Sequence, residues 1–122
     1  MEVHRLSALP HEELRSARSG EAYALSAVLP TGALPVFAHH DVLSPGRRAS
    51  ATHAHSHVTE LVLVLAGAVV VIDGEREVPL ACGEFVVIPP GCPHHVENRG
   101  PDEARLLVLA SRQPEDSVTY SP

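Results

Sequence analysis

The feature that most constrains this chain is a regular beat of short apolar stretches cut by turns. After Gly20, residues 23–29, 34–43, 59–65, 69–73, 85–88 and 105–111 are each rich in Val, Leu or Ile. Between them fall Pro30-Thr31-Gly32, Ser44-Pro45-Gly46, Asp73-Gly74, Cys82-Gly83, Pro89-Pro90-Gly91 and Arg99-Gly100-Pro101. Many short strands separated by such punctuation predict an all-β sandwich or barrel. Asp73-Gly74 between two strands predicts a tight hairpin, because glycine adopts the positive φ that such turns require. Residues 61–65, Leu-Val-Leu-Val-Leu, are apolar at every position, whereas a half-solvated antiparallel strand alternates. Both faces of that strand are therefore expected to be covered, one by the barrel interior and the other by the N-terminal segment or a second subunit. A self-complementary homodimer is the expected solution.

The N-terminal residues read differently. Pro10-His11-Glu12-Glu13-Leu14-Arg15 places Pro at a helix start with two acids in the first turn, which predicts one or two helical turns. The expected organisation is an adaptor segment over 1–20 followed by one barrel domain over 21–122. With 122 residues there is room for one core and no second domain.

Charge and composition narrow the partners. A net charge of −6, with no basic run longer than Arg47-Arg48, argues against nucleic acid. The longest apolar run, 61–72, is too short for a membrane span, and residues 1–18 lack the apolar core of a secretion signal. A cytoplasmic protein without membrane contact is the expectation. Cys82 and Cys92 have no CxxC spacing, so neither a structural zinc knot nor, in a reducing compartment, a disulfide is expected. All nine basic residues of the Lys+Arg count are Arg, which removes Schiff-base chemistry. GxSxG, P-loop and GxGxxG frames are absent.

Chemistry concentrates in the histidines. His53 and His55 lie two apart on a strand-like segment and so share one face. Glu60 follows after a turn, and His94 re-enters after the Pro89-Pro90-Gly91 break. Three imidazoles and one carboxylate form a ligand set for a redox-capable or Lewis-acid divalent metal, with coordination positions left open for substrate. His4, His11, His39 and His40 stand in no such frame and read as non-ligands. His57, His95 and Cys92 are read as pocket or supporting residues beside the ligands, and Arg48 and His40, with Arg47 and Tyr23, as the pocket rim. His95 is expected to point away from His94. Cys92 reads as an inert buried thiol, since a Cys92–His95 nucleophile would lack an orienting third group. Phe37 and Phe85 read as core.

These residues resemble the paired motifs of the cupin superfamily, small jelly-roll β-barrels. His53-x-His55-x4-Glu60-x6-Gly67 resembles the family's first motif, and Gly83-x5-Pro89-x-Gly91-x2-His94-x3-Asn98 matches the second at every spacing. The departure is the leading glycine of the first motif: Gly46 lies seven residues before His53 rather than six. The resemblance covers about residues 40 to 111 and, more loosely, 114 to 120. It implies that His53, His55, Glu60 and His94 bind one divalent metal per chain, commonly manganese or iron in the family, with nickel, copper, cobalt and zinc also used. It also implies turn roles for Asn98 and the glycines.

Two classes of function follow. One is a metal-dependent enzyme, with a dioxygenase acting on a small chelating metabolite as its leading member and Glu60 as the catalytic proton carrier. The same metal could serve, without oxygen, in an isomerase or decarboxylase of a small hydroxy- or keto-acid. The other class is a non-catalytic small-molecule-binding barrel.

Overall fold

A computed structural model describes residues 1–121. It contains the strands Glu12–Arg15 (β1), Ala22–Val28 (β2), Val36–Leu43 (β3), His53–His55 (β4), Glu60–Ala66 (β5), Ala68–Asp73 (β6), Arg76–Ala81 (β7), Phe85–Ile88 (β8), His94–Glu97 (β9), Ala104–Ser111 (β10) and Val118–Tyr120 (β11). They build two sheets, ordered β1-β2-β3-β10-β5-β8 and β11-β4-β9-β6-β7, with every pairing antiparallel. The expected all-β barrel is the architecture observed. No helix among the described residues is long and apolar enough to cross a membrane.

The expected N-terminal helix is not formed. A single 3-10 turn covers Leu6–Ala8, and the acidic stretch read as a first helical turn is instead β1, paired with β2 through Glu12↔Ser26 and Glu13↔Leu25. One or two isolated turns cannot offset the cost of helix nucleation, while a sheet edge offers ready backbone partners. Glu13 is spent sideways, accepting from Arg15 at 2.8 Å and Arg47 at 2.9 Å, and those guanidiniums hold its carboxyl below its ordinary value. The segment expected to be an adaptor thus contributes an edge strand to the larger sheet.

Alternation along the strands builds the core. Glu60, Val62 and Val64 of β5 are buried on the inner face, together with Leu43, Val69, Val71, Val96, Leu106 and Val108 from neighbouring strands. The β6–β7 hairpin turns at Gly74, with Asp73 paired to Arg76 as its sequence predicts. Pro79 in β7 lies at a sheet edge, where a missing donor is tolerated. Gly67 is the corner between β5 and β6, which belong to different sheets. Its φ is +73°, and a Cβ there would sit 2.6 Å from the Glu103 carbonyl oxygen, so glycine is demanded twice over. Asn98 is fully buried and ties the end of β3 to the loop between β9 and β10. Its Nδ2 donates to the carbonyls of Leu43 (2.9 Å) and Asp102 (2.8 Å), and its Oδ1 accepts from the Gly100 N–H (3.0 Å).

The outer face of β5 is not closed by its own chain. Leu61 and Leu63 are only partly buried. They continue sideways into β8 and β10: Leu61 pairs with Val87 and Leu109, and Leu63 with Phe85 and Leu107. Phe85 and Val87 are 58% and 57% exposed, so Phe85 is an outward residue rather than core; Phe37, 52% exposed, is not core either but shares the β3 face of His39 and Asp41 and pairs with Ala110. The chain leaves an apolar strip on this side.

Candidate metal centre

Four side chains from three strands meet at one end of the barrel. His53 and His94 are directly opposite each other across β4 and β9, and His55 follows His53 on the same face. Glu60 begins β5 and faces them from the other sheet. Its Oε1 lies 3.4 Å from His53 Nε2, 3.0 Å from His55 Nε2 and 3.4 Å from His94 Nε2. The ligand atoms of His53, Glu60 and His94 all lie within 4.8 Å of one another.

The other ring nitrogens explain which lone pairs face inward. His53 Nδ1 donates to the Ala51 carbonyl (3.0 Å), and His94 Nδ1 to the Cys92 carbonyl (2.9 Å). His55 Nδ1 donates to Asp116 Oδ2 (2.7 Å). Each Nδ1 therefore carries the proton, and each Nε2 turns a lone pair towards Glu60. Glu60 Oε1 is buried and has no hydrogen-bond partner. Three lone pairs converging on an unpartnered carboxylate oxygen repel unless a proton or a cation lies between them. The arrangement fits a metal ion, and the oriented Nδ1 protons are the supporting contacts that ligating histidines use. Without an ion, burial works to raise the Glu60 carboxyl, yet His53 and His94 outweigh it and hold it well below its ordinary value. Burial likewise works against the charge on His53, but Glu60 overcomes it and raises that imidazole.

Asp116 is a residue that sequence reasoning left without a role. It comes from the turn before β11 and crosses to β4. Besides holding His55, its Oδ1 accepts from the backbone N–H groups of His57 (2.8 Å) and Val58 (3.0 Å). Burial opposes its charge, but His55 and these two N–H groups lower its carboxyl to about 2. The only hint in the sequence was the tail's loose likeness to the family.

The remaining site candidates scatter. His57 is exposed in the turn after β4, beside the Ser56 hydroxyl at 2.7 Å. Arg48 donates to Thr52 Oγ1 at 2.8 Å, and that hydroxyl meets His95 Nδ1 at 2.9 Å, while His95 Nε2 donates to Glu97 at 2.7 Å. Cys92 supplies its carbonyl to His94 and packs against the core, with its thiol pushed up by burial and by Asp73. His40 is 1% exposed and faces out of the barrel, where His11 Nε2 covers its Nδ1 at 2.8 Å.

Strand parity gives the cavity a different histidine. His39 and Asp41, on the opposite face of β3 from His40, line a cavity of about 250 Å³ that ends on the four-residue cluster. Its walls are mostly apolar, including Val62, Val96, Leu106, Val108 and Leu14 of β1. Asp41 is 2% exposed; its Oδ1 accepts from His39 Nδ1 (2.7 Å) and from Ser26 Oγ (2.6 Å). Burial pushes His39 towards the neutral form, but Asp41 more than compensates and raises it. An i, i+2 His–Asp pair in a predicted strand was the available signal.

Comparison with known proteins gives three results. Residues 39–110 match the family model described as a cupin domain. Two curated relatives are similar at sequence level. Protein SchB of Streptomyces halstedii is 37% identical over 90 residues, which are 74% of this chain and 64% of SchB. Polyketide synthase CurC of Streptomyces cyaneus is 33% identical over 105 residues, 84% of this chain and 67% of that one. This chain thus spans slightly less than two thirds of SchB. Among solved structures, a sugar phosphate isomerase from Silicibacter pomeroyi superposes with a TM-score of 0.86 and 26% identity, covering 98% of this chain and 82% of its own.

Proposed function

This chain belongs to the cupin family, and from that premise we propose that it is a metal-dependent enzyme, an oxidoreductase of dioxygenase type acting on a small chelating metabolite. The observation that carries the reading is the unpartnered Glu60 oxygen facing three Nε2 lone pairs whose Nδ1 protons are already engaged. His53, His55, Glu60 and His94 hold one divalent ion in this reading, and a set of imidazoles and one carboxylate suits manganese or iron first, with nickel, copper, cobalt and zinc as further candidates. The bound ion would supply a Lewis acid and, when redox-active, an electron relay.

The protein's own residues supply the rest. Val62, Val96, Leu106 and Val108 keep the inner cavity apolar, so charge developing there is poorly screened and strongly felt by Glu60. Glu60, the one carboxylate in the cluster, is placed to pass a proton at Oε1. At about 250 Å³ the cavity lies below the usual range for ligand sites, which begins near 300 Å³, and suits a small molecule or one end of a larger one. A relative named as a polyketide synthase supports a polyketide-type ligand, whose 1,3-dicarbonyl or phenol oxygens chelate. A second reading, metal-dependent isomerisation or decarboxylation without oxygen, is favoured by the His39–Asp41 pair and by the relative named as a sugar phosphate isomerase. The apolar strip of Leu61, Leu63, Phe85 and Val87 supports a homodimer through that face.

The test is elemental analysis per chain of untagged protein, followed by oxygen uptake with 1,3-diketone and catechol probes. Near-stoichiometric metal that is lost in both His53→Ala and His94→Ala supports the site. Full occupancy in both variants refutes it. Metal without oxygen uptake moves the reading to isomerase or decarboxylase chemistry, and a barrel that refuses every metal leaves only ligand binding.

A further inference from the structure

We propose that His39, oriented by Asp41 and Ser26, is the proton-transfer group of the cavity: its Nε2 takes the acidic proton of a chelating enol or phenol as that ligand seats against the cluster. The proposal rests on the metal-site reading given above.

Orientation comes first. Asp41 Oδ1 accepts from His39 Nδ1 at 2.7 Å and from Ser26 Oγ at 2.6 Å, which leaves the lone pair of the neutral ring on Nε2. That nitrogen makes no hydrogen bond among the described residues, and the side chain is 34% exposed, so a ligand can reach it. A carboxylate at 2% exposure is an expensive way to build a barrel wall, and apolar residues of similar volume would serve packing at least as well. A His–carboxylate pair inside a cleft is the pattern expected of a functional group.

Position comes second. His39 pairs with Val108, and Val108 with Val62, which lies two residues after Glu60 on the same face. Ordinary sheet spacing then separates the Cα atoms of His39 and Glu60 by about 12 Å, with both side chains turned into the intervening cavity. A ligand of a few heavy atoms spans what remains. The titratable groups facing His39 are Asp41 on its own strand and Glu60, His53, His55, His94 and His95 across the cavity, with Glu12 of β1 paired to Ser26 at the open edge.

The step balances simply. The ligand O–H bond breaks, its electron pair stays on oxygen, and an N–H bond forms at His39 Nε2. The resulting imidazolium is held by the buried Asp41 carboxylate, and the ligand anion faces the cluster. The reverse transfer returns the proton to the product. The raised affinity of His39 for a proton, caused by Asp41, suits this role.

The experiment counts protons rather than turnover. Acetylacetone, which is neutral at pH 8 and chelates as its anion, is titrated anaerobically into metal-loaded protein. Calorimetry in HEPES and in Tris gives the net protons released. Wild type should release close to none, and His39→Gln about one more per site, because the lost proton then goes to buffer. His40→Gln, altering the neighbouring imidazole on the outer face, should match wild type. Ser26→Ala, which keeps the imidazole and leaves the Asp41 carboxylate to His39 alone, should keep the wild-type count. Equal counts in wild type and His39→Gln overturn the proposal, as does metal-loaded wild type that does not bind acetylacetone. Failure of the protein to take up metal at all is the separate failure of the metal-site reading and removes the proposal with it.

Discussion

Replacing Glu60 by Gln isolates the carboxylate charge with little change of shape. The four side chains lie within hydrogen-bonding range of one point, and Glu60 provides the only negative charge among them. At pH 8, with the native ion present at a hundred times its dissociation constant, binding adds about 2.7 kcal/mol to the folded state. For a chain of 122 residues the unfolding entropy is about 0.26 kcal/mol/K. The ion should therefore raise the melting temperature of wild type by about 10 °C. A hundredfold loss of affinity in Glu60→Gln brings the same ion concentration down to the dissociation constant. Its contribution falls to about 0.4 kcal/mol, under about 2 °C. The assay is thermal unfolding of both proteins with and without the ion, each first stripped with a chelator. An ion-induced rise in Glu60→Gln equal to that in wild type would refute the assignment of Glu60 to the metal site.

Four further outcomes are expected. Asp116→Asn should weaken metal binding by about 10- to 100-fold in chelator competition, because His55 loses the partner that fixes its ring. Asn98→Ala removes three hydrogen bonds in a fully buried corner and should cost about 3 kcal/mol, a fall in melting temperature of about 12 °C. His39 binds its proton more tightly when folded than its ordinary value of 6.5, so its contribution is complete below that pH and fades as pH rises through the folded value. The stability gap between wild type and His39→Gln should thus be wider at pH 6 than at pH 9 in denaturant titrations. Phe85→Asp should lower the solution mass from dimer to monomer by light scattering, while leaving the metal content of the protein unchanged.

Strand-forming segments were legible wherever side chains were apolar enough to announce them. The stretch read as 85–88 is β8 as observed, and 105–111 is β10 to within one residue. β7 was missed because Arg76, Glu77 and Pro79 dilute its pattern, which only an edge strand tolerates. β1 was misread as helix because acids after a proline are ambiguous until a partner strand is available. In the site, the identities of His53, Glu60 and His94 were visible because family spacing carries them. His39 was passed over for His40, one residue away, because a strand's alternation states which residues share a face but not which face is inside. Asp116 could not be found, since its link to His55 spans 61 positions and depends on β11 docking against β4.

The sequence by itself determined the all-β class, the hairpin at Gly74 and the candidate donor set, because turn chemistry, strand propensity and ligand type are local properties. Only the tertiary structure decided that Glu60 faces its histidines from the opposite sheet, that His39 and Asp41 look into the cavity, and that Leu61 and Leu63 stay only partly buried. Those outcomes turn on which faces are packed against each other, and burial is a property of the assembled sheets rather than of any one strand.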